Sequence, residues 1–226
     1  MDSPKYNRTF HMPWSPGGTS DDKIGPYVTV LTKTPIVITE KMDGSNTSLE
    51  RDGCFARTHS GAPTHTSFDG LKALHATVRE RIPPGVQLFG EWCYARHSIE
   101  YTELPGYFLL FNVRQIGGFN NAQDFQAEWA SWEEVEMWAE DIGVPTVPVL
   151  FKGICDTPEE LQKLVNTLME QPSKCGGVRE GVVARVANSF DNDVFNVCVM
   201  KCVRANHVQT DDHWKNQEIV KNKLKI

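Results

Sequence analysis

Apolar residues along the chain recur in two periods, and the change from one to the other separates strands from helices. Short apolar or alternating runs predict strands at residues 27–31, 35–39, 86–94 and 107–113, and at 180–186 and 195–203. Two more runs, 46–51 and 54–58, meet at Asp52-Gly53 and read as a hairpin. Leu71, Leu74, Val78 and Ile82 stand at helical spacing and Pro83-Pro84-Gly85 closes the segment, which predicts a helix over 69–82. Two further helices, 131–141 and 157–170, each open on a capping signal, Ser131 with Glu134 and Thr157-Pro158-Glu159-Glu160. Residues 144–151 form a Pro-interrupted edge segment.

Outside these elements, residues 1–25 are polar and broken by Pro13, Pro16, Gly17 and Gly18, which predicts an irregular arm pinned by Phe10 and Trp14. Residues 59–68 are rich in Ser, Gly, Thr and His and have the composition of a binding lip. His59 and His65 read there as solvated loop residues, with no third metal ligand nearby. From Gln209 the chain is polar with a basic end, a surface helix or a frayed terminus. Strands joined by hairpins, with helices set between, imply an α+β fold of antiparallel sheets with helices packed outside. The expected organisation is an arm over 1–25, one catalytic domain over 26–208 and a short tail over 209–226.

Composition narrows the function. At 226 residues and 40% hydrophobic content the chain can bury a sizeable core. A net charge of −6 makes it no general magnet for nucleic acid, so any such site is a local basic patch. The six cysteines form no Cys-x-x-Cys pair and no zinc spacing with the histidines. Scattered in this way they read as reduced thiols of a cytoplasmic protein. The N-terminus carries no signal-like region, and the longest apolar runs fall far short of a membrane span.

The strands carry charges where a core would not want them. The run 36–40 delivers Lys41 to a strand end, and Asp43-Gly44 turns the chain at once. Glu91 interrupts an apolar strand, Glu180 opens another, and Lys201 is embedded in a third. A buried charge costs several kcal/mol unless it is paired, so each needs a partner or a ligand. With Asn46 and Arg57, these groups can converge in one cleft. The cations suit phosphates; the acids suit a ribose hydroxyl or Mg²⁺. A lysine held there becomes a nucleophile if desolvation and a neighbouring cation remove its proton.

The same residues resemble a known family. Lys41-Met-Asp-Gly looks like motif I of the covalent nucleotidyltransferases, and Arg57 with Ser60-Gly61 resembles motif Ia. Phe89-Gly90-Glu91 is similar to motif III and residues 108–113 to motif IIIa. Glu180-Gly181-Val182-Val183 is similar to motif IV and Val199-Met200-Lys201 to motif V. Six such matches in the family's order span residues 41–204. Ser45-Asn46 and the stretch 90–99 resemble the ATP-dependent RNA ligases of the phage RNA ligase 2-like group. About 20 residues follow motif V, too few for the oligonucleotide-binding barrel that DNA ligases and capping enzymes carry there.

The resemblance implies that Lys41 attacks the α-phosphate of ATP to form a lysyl-adenylate, with Mg²⁺ or Mn²⁺ as the metal. It places Lys201 on the α-phosphate, from where its charge would depress the pKa of Lys41. It implies Glu180 on the metal or its waters, Glu91 on a ribose hydroxyl, and Phe111 stacked on adenine. Arg57 and Asn46 fall on the ribose-phosphate side and the nucleic-acid end, and Glu40 beside the base. AMP would pass to an RNA 5′-phosphate, which a 3′-hydroxyl then seals. A kinase or phosphatase that heals the ends is an implied partner, and the enzyme is expected to act as a monomer. Two positions depart from the family pattern: Asn112 stands where an aspartate is usual, and Val203 where a second lysine is frequent, with Arg204 next to it as a substitute. A minimal DNA ligase, an RNA guanylyltransferase and a non-catalytic nucleotide- or RNA-binding relative are the alternative readings.

Overall fold

The computed structural model describes residues 5–18, 22–57, 61–116, 128–205 and 219–226. Ser60 and His59, the strand end expected at Thr58, and most of the polar tail, Lys215 included, lie outside the described residues.

Among the described residues, nine strands form two sheets. In chain order they are β1 (Phe10–His11), β2 (Ile36–Lys41), β3 (Ser45–Glu50), β4 (Gly53–Ala56), β5 (Val86–Trp92), β6 (Phe108–Gln115), β7 (Val149–Gly153), β8 (Gly181–Val186) and β9 (Val199–Val203). One sheet has the order β1-β9-β8-β2-β7 and the other β4-β3-β5-β6. All pairings are antiparallel except β1 with β9. The helices are α1 (Asp69–Val78), α2 (Trp132–Ile142), α3 (Pro158–Met169) and the single turn α4 (Phe195–Cys198). This is the α+β architecture expected from the sequence.

Local chemistry accounts for most of these elements. Ser131 Oγ accepts the Glu134 N–H while Glu134 Oε2 accepts the Ser131 N–H, a complete capping box that starts α2. Thr157 caps α3 in the same way, with Pro158 at its first position. The apolar stripes of α1 and α2 bury Leu71, Val78, Val135 and Ile142 in one core with Leu49, Leu88, Trp92 and Val113 of the second sheet. The stripe of α3, Leu161, Val165 and Leu168, packs in a second core with Ile36, Ile38, Val182, Ala184 and Met200 of the first sheet. Phe111 touches both cores, so it marks the seam between the sheets.

Several local expectations fail for tertiary reasons. Residues 27–31 are not a strand: Thr29–Leu31 is a 3-10 turn that buries Leu31. The segment 195–203 is split, because α4 turns Phe195 and Cys198 into the core before β9 begins. The arm is pinned chiefly by Tyr6 and Met12 instead of Phe10. The Tyr6 ring lies 5.0 Å from Phe89, 5.1 Å from Phe111 and 5.5 Å from Trp129, while Met12 is fully buried. Phe10 instead belongs to β1, in register with Met200. The described end of the tail is not frayed: Asn222 is buried, accepting the Tyr101 N–H at 2.9 Å and donating to Cys93 O at 2.9 Å.

Candidate active site

The two sheets face each other across a cavity of about 580 Å³. Side chains on a strand alternate between faces, so Thr39 and Lys41 of β2, Val183 and Arg185 of β8, and Val199 and Lys201 of β9 share the cavity side of the first sheet. The opposite wall carries Asn46, Glu91, Phe111 and Asn112, with Arg57 at the rim beyond β4. Residues 6–9 of the arm and Asp22 close one end.

Lys41 pairs with Gly181 in the β2–β8 register, which sets it beside Glu180. Its Nζ donates to both carboxylate oxygens of Glu180 at 2.8 Å. Desolvation pulls the Lys41 ammonium down, but the charges of Glu180, Glu91 and Asp43 outweigh it and the net direction is upward. The expectation of a depressed Lys41 is therefore not met, because carboxylates surround it. It is Lys201 whose pKa falls, through burial and then the charge of Lys41. Lys201 Nζ lies 3.6 Å from Asp22 Oδ1.

Glu91 stands opposite Asn46 in the β3–β5 register and accepts the Gly44 N–H at 3.1 Å. Burial pushes its carboxyl up to about 8, with Glu180 and Asp43 adding to the rise while Lys41 and the Gly44 bond oppose it. The turn that makes this contact requires glycine, because a Cβ on Gly44 would stand 2.7 Å from Trp92 O. Asp43 has a structural role, since its Oδ2 accepts the N–H groups of Ser98 at 2.7 Å and Ile99 at 2.9 Å and so fixes the chain after β5.

Phe111 owes its exposure to the cavity to a bulge. Phe89 pairs with Asn112 and Gly90 with Leu110, so Phe111 is the extra residue on β6. Asn112 accepts from Arg185 Nη1 at 2.8 Å, and its amide donates to the Tyr6 hydroxyl at 3.3 Å. Arg185 is buried and held through neutral acceptors, with its guanidinium over Phe190 and Trp132. Burial lowers its pKa to about 10.

Glu40 is fully buried with Arg179, whose Nε is 3.6 Å from Glu40 Oε2; that oxygen also accepts the Lys174 N–H at 2.9 Å. Glu40 Oε1 and Asn46 Oδ1, both acceptors, and Trp132 Nε1, a donor, belong to cavity-lining residues, are buried, and have no hydrogen-bond partner among the described residues. Such atoms are costly unless a ligand or water satisfies them. Arg204 is not part of the cavity wall; its N–H donates to Glu180 O at 3.0 Å.

The structure thus brings Lys41, Lys201, Glu180, Glu40, Asn46, Arg57, Glu91 and Phe111 to one cavity or its immediate wall. Sequence reasoning missed Tyr6, Asp22 and Arg185. Arg185 had a signal, a charge five residues after Glu180 on an apolar strand. Among the described residues no group of three or more His, Cys, Asp or Glu could hold a metal ion, and no helix is long and apolar enough to cross a membrane.

The RNA ligase family model matches residues 34–203, well over half of the chain. The fold is similar to that of the Naegleria gruberi RNA ligase, in a mutant form crystallised with ATP and Mn, at a TM-score of 0.58 and 16% identity over 93% of this chain and 59% of that one. A mutant of the same ligase without ligand gives a TM-score of 0.55 at 14% identity, covering 92% of this chain and 63% of that one. An archaeal ATP-dependent RNA ligase gives 0.52 at 18% identity, covering 88% and 49%. The chain therefore spans about half to two thirds of the length of these structures. Against curated protein sequences it finds no significant match.

Proposed function

The chain belongs to the RNA ligase family, and from that premise we propose that it is an ATP-dependent RNA ligase working through a lysyl-adenylate on Lys41. The observation that carries this reading is the pairing of Lys41 with Glu180 at 2.8 Å in a cavity that also presents Lys201 and Phe111. A nucleophile on a rigid strand end, a second cation to meet a phosphate and an aromatic face for a base are the parts that nucleotidyl transfer needs.

In this reading the adenine lies against Phe111, and Glu40 Oε1 or Trp132 Nε1 gains the partner it lacks. Glu91 and Asn46 face the ribose, and Lys201 binds the α-phosphate. Arg57 at the rim meets the phosphate backbone of the RNA end. Lys41 attacks the α-phosphorus as a neutral amine after giving up a proton. A bond forms from Nζ to phosphorus as the bond to the bridging oxygen breaks, and pyrophosphate leaves with the electron pair. The Lys41 proton passes to Glu180, whose carboxylate accepts both hydrogen bonds from Nζ, or to water, and is favoured to leave once the charge of Glu180, the first of those that hold Lys41 protonated, is drawn away from it.

A divalent ion, Mg²⁺ or Mn²⁺, supplies positive charge that neutralises the polyphosphate when bound. The donor set fits an ion that leans on phosphates and waters, with Glu180 as the protein carboxylate, better than an all-protein cage. The adenylyl group then passes to an RNA 5′-phosphate, and a 3′-hydroxyl displaces AMP. We place the enzyme in the cytoplasm as a monomer, next to an activity that heals RNA ends.

The test is incubation with α-labelled ATP and a divalent ion, followed by denaturing electrophoresis of wild type and Lys41→Ala. Label retained by the wild type and absent from the variant is expected. If ATP and GTP both leave the wild type unlabelled, and intact mass shows no AMP already attached, the reading fails. Sealing is then followed on nicked and broken RNAs bearing 5′-phosphate and 3′-hydroxyl ends.

A further inference from the structure

At the Lys201 end of the cavity three nitrogen groups, two from the arm and one from β9, meet at one point. His11 Nε2 lies 3.2 Å, Lys201 Nζ 3.6 Å and Arg8 Nη2 3.9 Å from the same atom, Asp22 Oδ1. The β1–β9 pairing puts His11 in register with Lys201, and Arg8 precedes β1 by two residues. A strand of two residues adds little to a sheet. Its effect is to place His11 and the chain before it at the cavity mouth.

The His11 ring is held in place. It is buried, and its Nδ1 lies 2.8 Å from Ser15 Oγ, an oxygen that also accepts the Val203 N–H at 3.0 Å. Ser15 can still give its hydroxyl hydrogen to Nδ1, which leaves the ring hydrogen on Nε2, 3.2 Å from the Asp22 carboxylate. Lys201 keeps about a fifth of its side chain exposed, and Arg8 half. Arg8, Asp22 and Lys201 line the same cavity as Lys41.

The fit of the carboxylate is loose. Lys41 grips Glu180 at 2.8 Å with two bonds, whereas the Lys201 and Arg8 contacts to Asp22 exceed ordinary hydrogen-bond lengths. A tetrahedral phosphate presents three oxygens, so the three groups that share Asp22 Oδ1 can each meet an oxygen of their own.

We infer that Lys201, His11 and Arg8 form a phosphate-binding site that Asp22 occupies as an internal anion until a phosphate group displaces it. The contact of Lys201 with phosphate is part of the ligase reading, and the inference rests on it there. The participation of the arm and the competition by Asp22 go beyond it. The phosphate comes either from the polyphosphate of the nucleotide or from the 5′ end of the RNA.

Titration calorimetry without divalent ion, so that no AMP transfer intervenes, separates the two sources. Wild type, Asp22→Asn and Arg8→Ala are each titrated with pyrophosphate, with ATP, and with one oligoribonucleotide in 5′-phosphorylated and 5′-hydroxyl forms. Removing the competitor in Asp22→Asn is expected to tighten phosphate binding by about threefold to tenfold, and Arg8→Ala to weaken it by a similar factor. A change in the pyrophosphate and ATP arms assigns the site to the nucleotide; a change confined to the 5′-phosphorylated RNA assigns it to the end. Asp22→Asn that melts like the wild type and binds every phosphate equally or more weakly overturns the inference. If that variant does not fold, unchanged phosphate affinity in Arg8→Ala, whose side chain is half exposed, overturns it alone. A protein that passes these titrations but takes no label from ATP keeps the site and loses the ligase reading.

Discussion

The two walls of the cavity carry charge differently. The wall from β2, β8 and β9 holds ionised groups in pairs: Lys41 with Glu180 at 2.8 Å, Lys201 with Asp22 at 3.6 Å and Glu40 with Arg179 at 3.6 Å. The buried part of the opposite wall is close to neutral. It presents Asn46, Phe111 and Asn112, and its one carboxyl, Glu91, is pushed up to about 8 and so is mostly protonated at neutral pH. One wall is ionic and charge-paired, the other largely uncharged. The division follows from the neighbours: each acid of the first wall has a cation within 4 Å, whereas Glu91 has burial and two further carboxylates against it.

The hardest blow to the ionic wall is Lys41→Ala. It is expected to reduce AMP labelling at least about a thousandfold, since the proposed lysyl-adenylate forms on the amine that this variant removes. Glu91→Gln, which replaces an already neutral acid by its isostere, should keep labelling at pH 7 within about tenfold of wild type. A collapse in that variant comparable to Lys41→Ala would show that Glu91 acts as a carboxylate and that the contrast between the walls is false.

Asn112→Leu tests the neutral wall from within. It strips Arg185 and the Tyr6 hydroxyl of a buried partner and should cost about 3 kcal/mol in chemical denaturation. Asn112→Asp restores a charge opposite Arg185 and should cost little or nothing in the same measurement.

The pH dependence of stability sharpens the comparison further. The folded Glu91 carboxyl titrates near 8 against an ordinary value of 4.5. Between these values the folded state keeps a proton that the unfolded state has lost. Its contribution is thus fully present below pH 4.5 and is lost as pH rises through about 8. Glu91→Gln removes this penalty, so relative to wild type it should gain about 4 kcal/mol between pH 5 and pH 9, read as a melting-temperature difference that grows with pH. A difference independent of pH would mean that Glu91 is ionised throughout.

The smallest effect expected is for Ser131→Ala, at the capping box of α2. About 1 kcal/mol of stability should go. AMP labelling should stay at the wild-type level, which separates loss of fold from loss of either wall.

Much of the site was legible because its residues break local rules. Lys41, Glu91, Glu180 and Lys201 are charges on strands that pattern alone would fill with apolar residues, and each lies in the cavity or on its wall. The helices announced themselves through caps and apolar stripes. The strand expected over 27–31 failed because an apolar run of that length looks the same whether it extends or folds into a turn around a buried leucine. The assignment of Phe111 to the cavity was legible only through the family pattern. Its physical cause, a bulge opposite Phe89 and Gly90, depends on a partner strand and has no local signature.

By itself, the sequence determined most of the elements and their order, and which charged residues stand on apolar strands, because periodicity, capping and the cost of burying charge act over a few residues. Only the tertiary structure decided which groups meet. Tyr6 reaches Asn112 across 106 positions, Ser15 reaches Val203 across 188, and Asp22 comes to stand between Lys201, His11 and Arg8. It also decided the charge states, leaving Lys41 protonated against Glu180 and Glu91 neutral, because a pKa inside a protein is set by burial and by charges brought close through the fold.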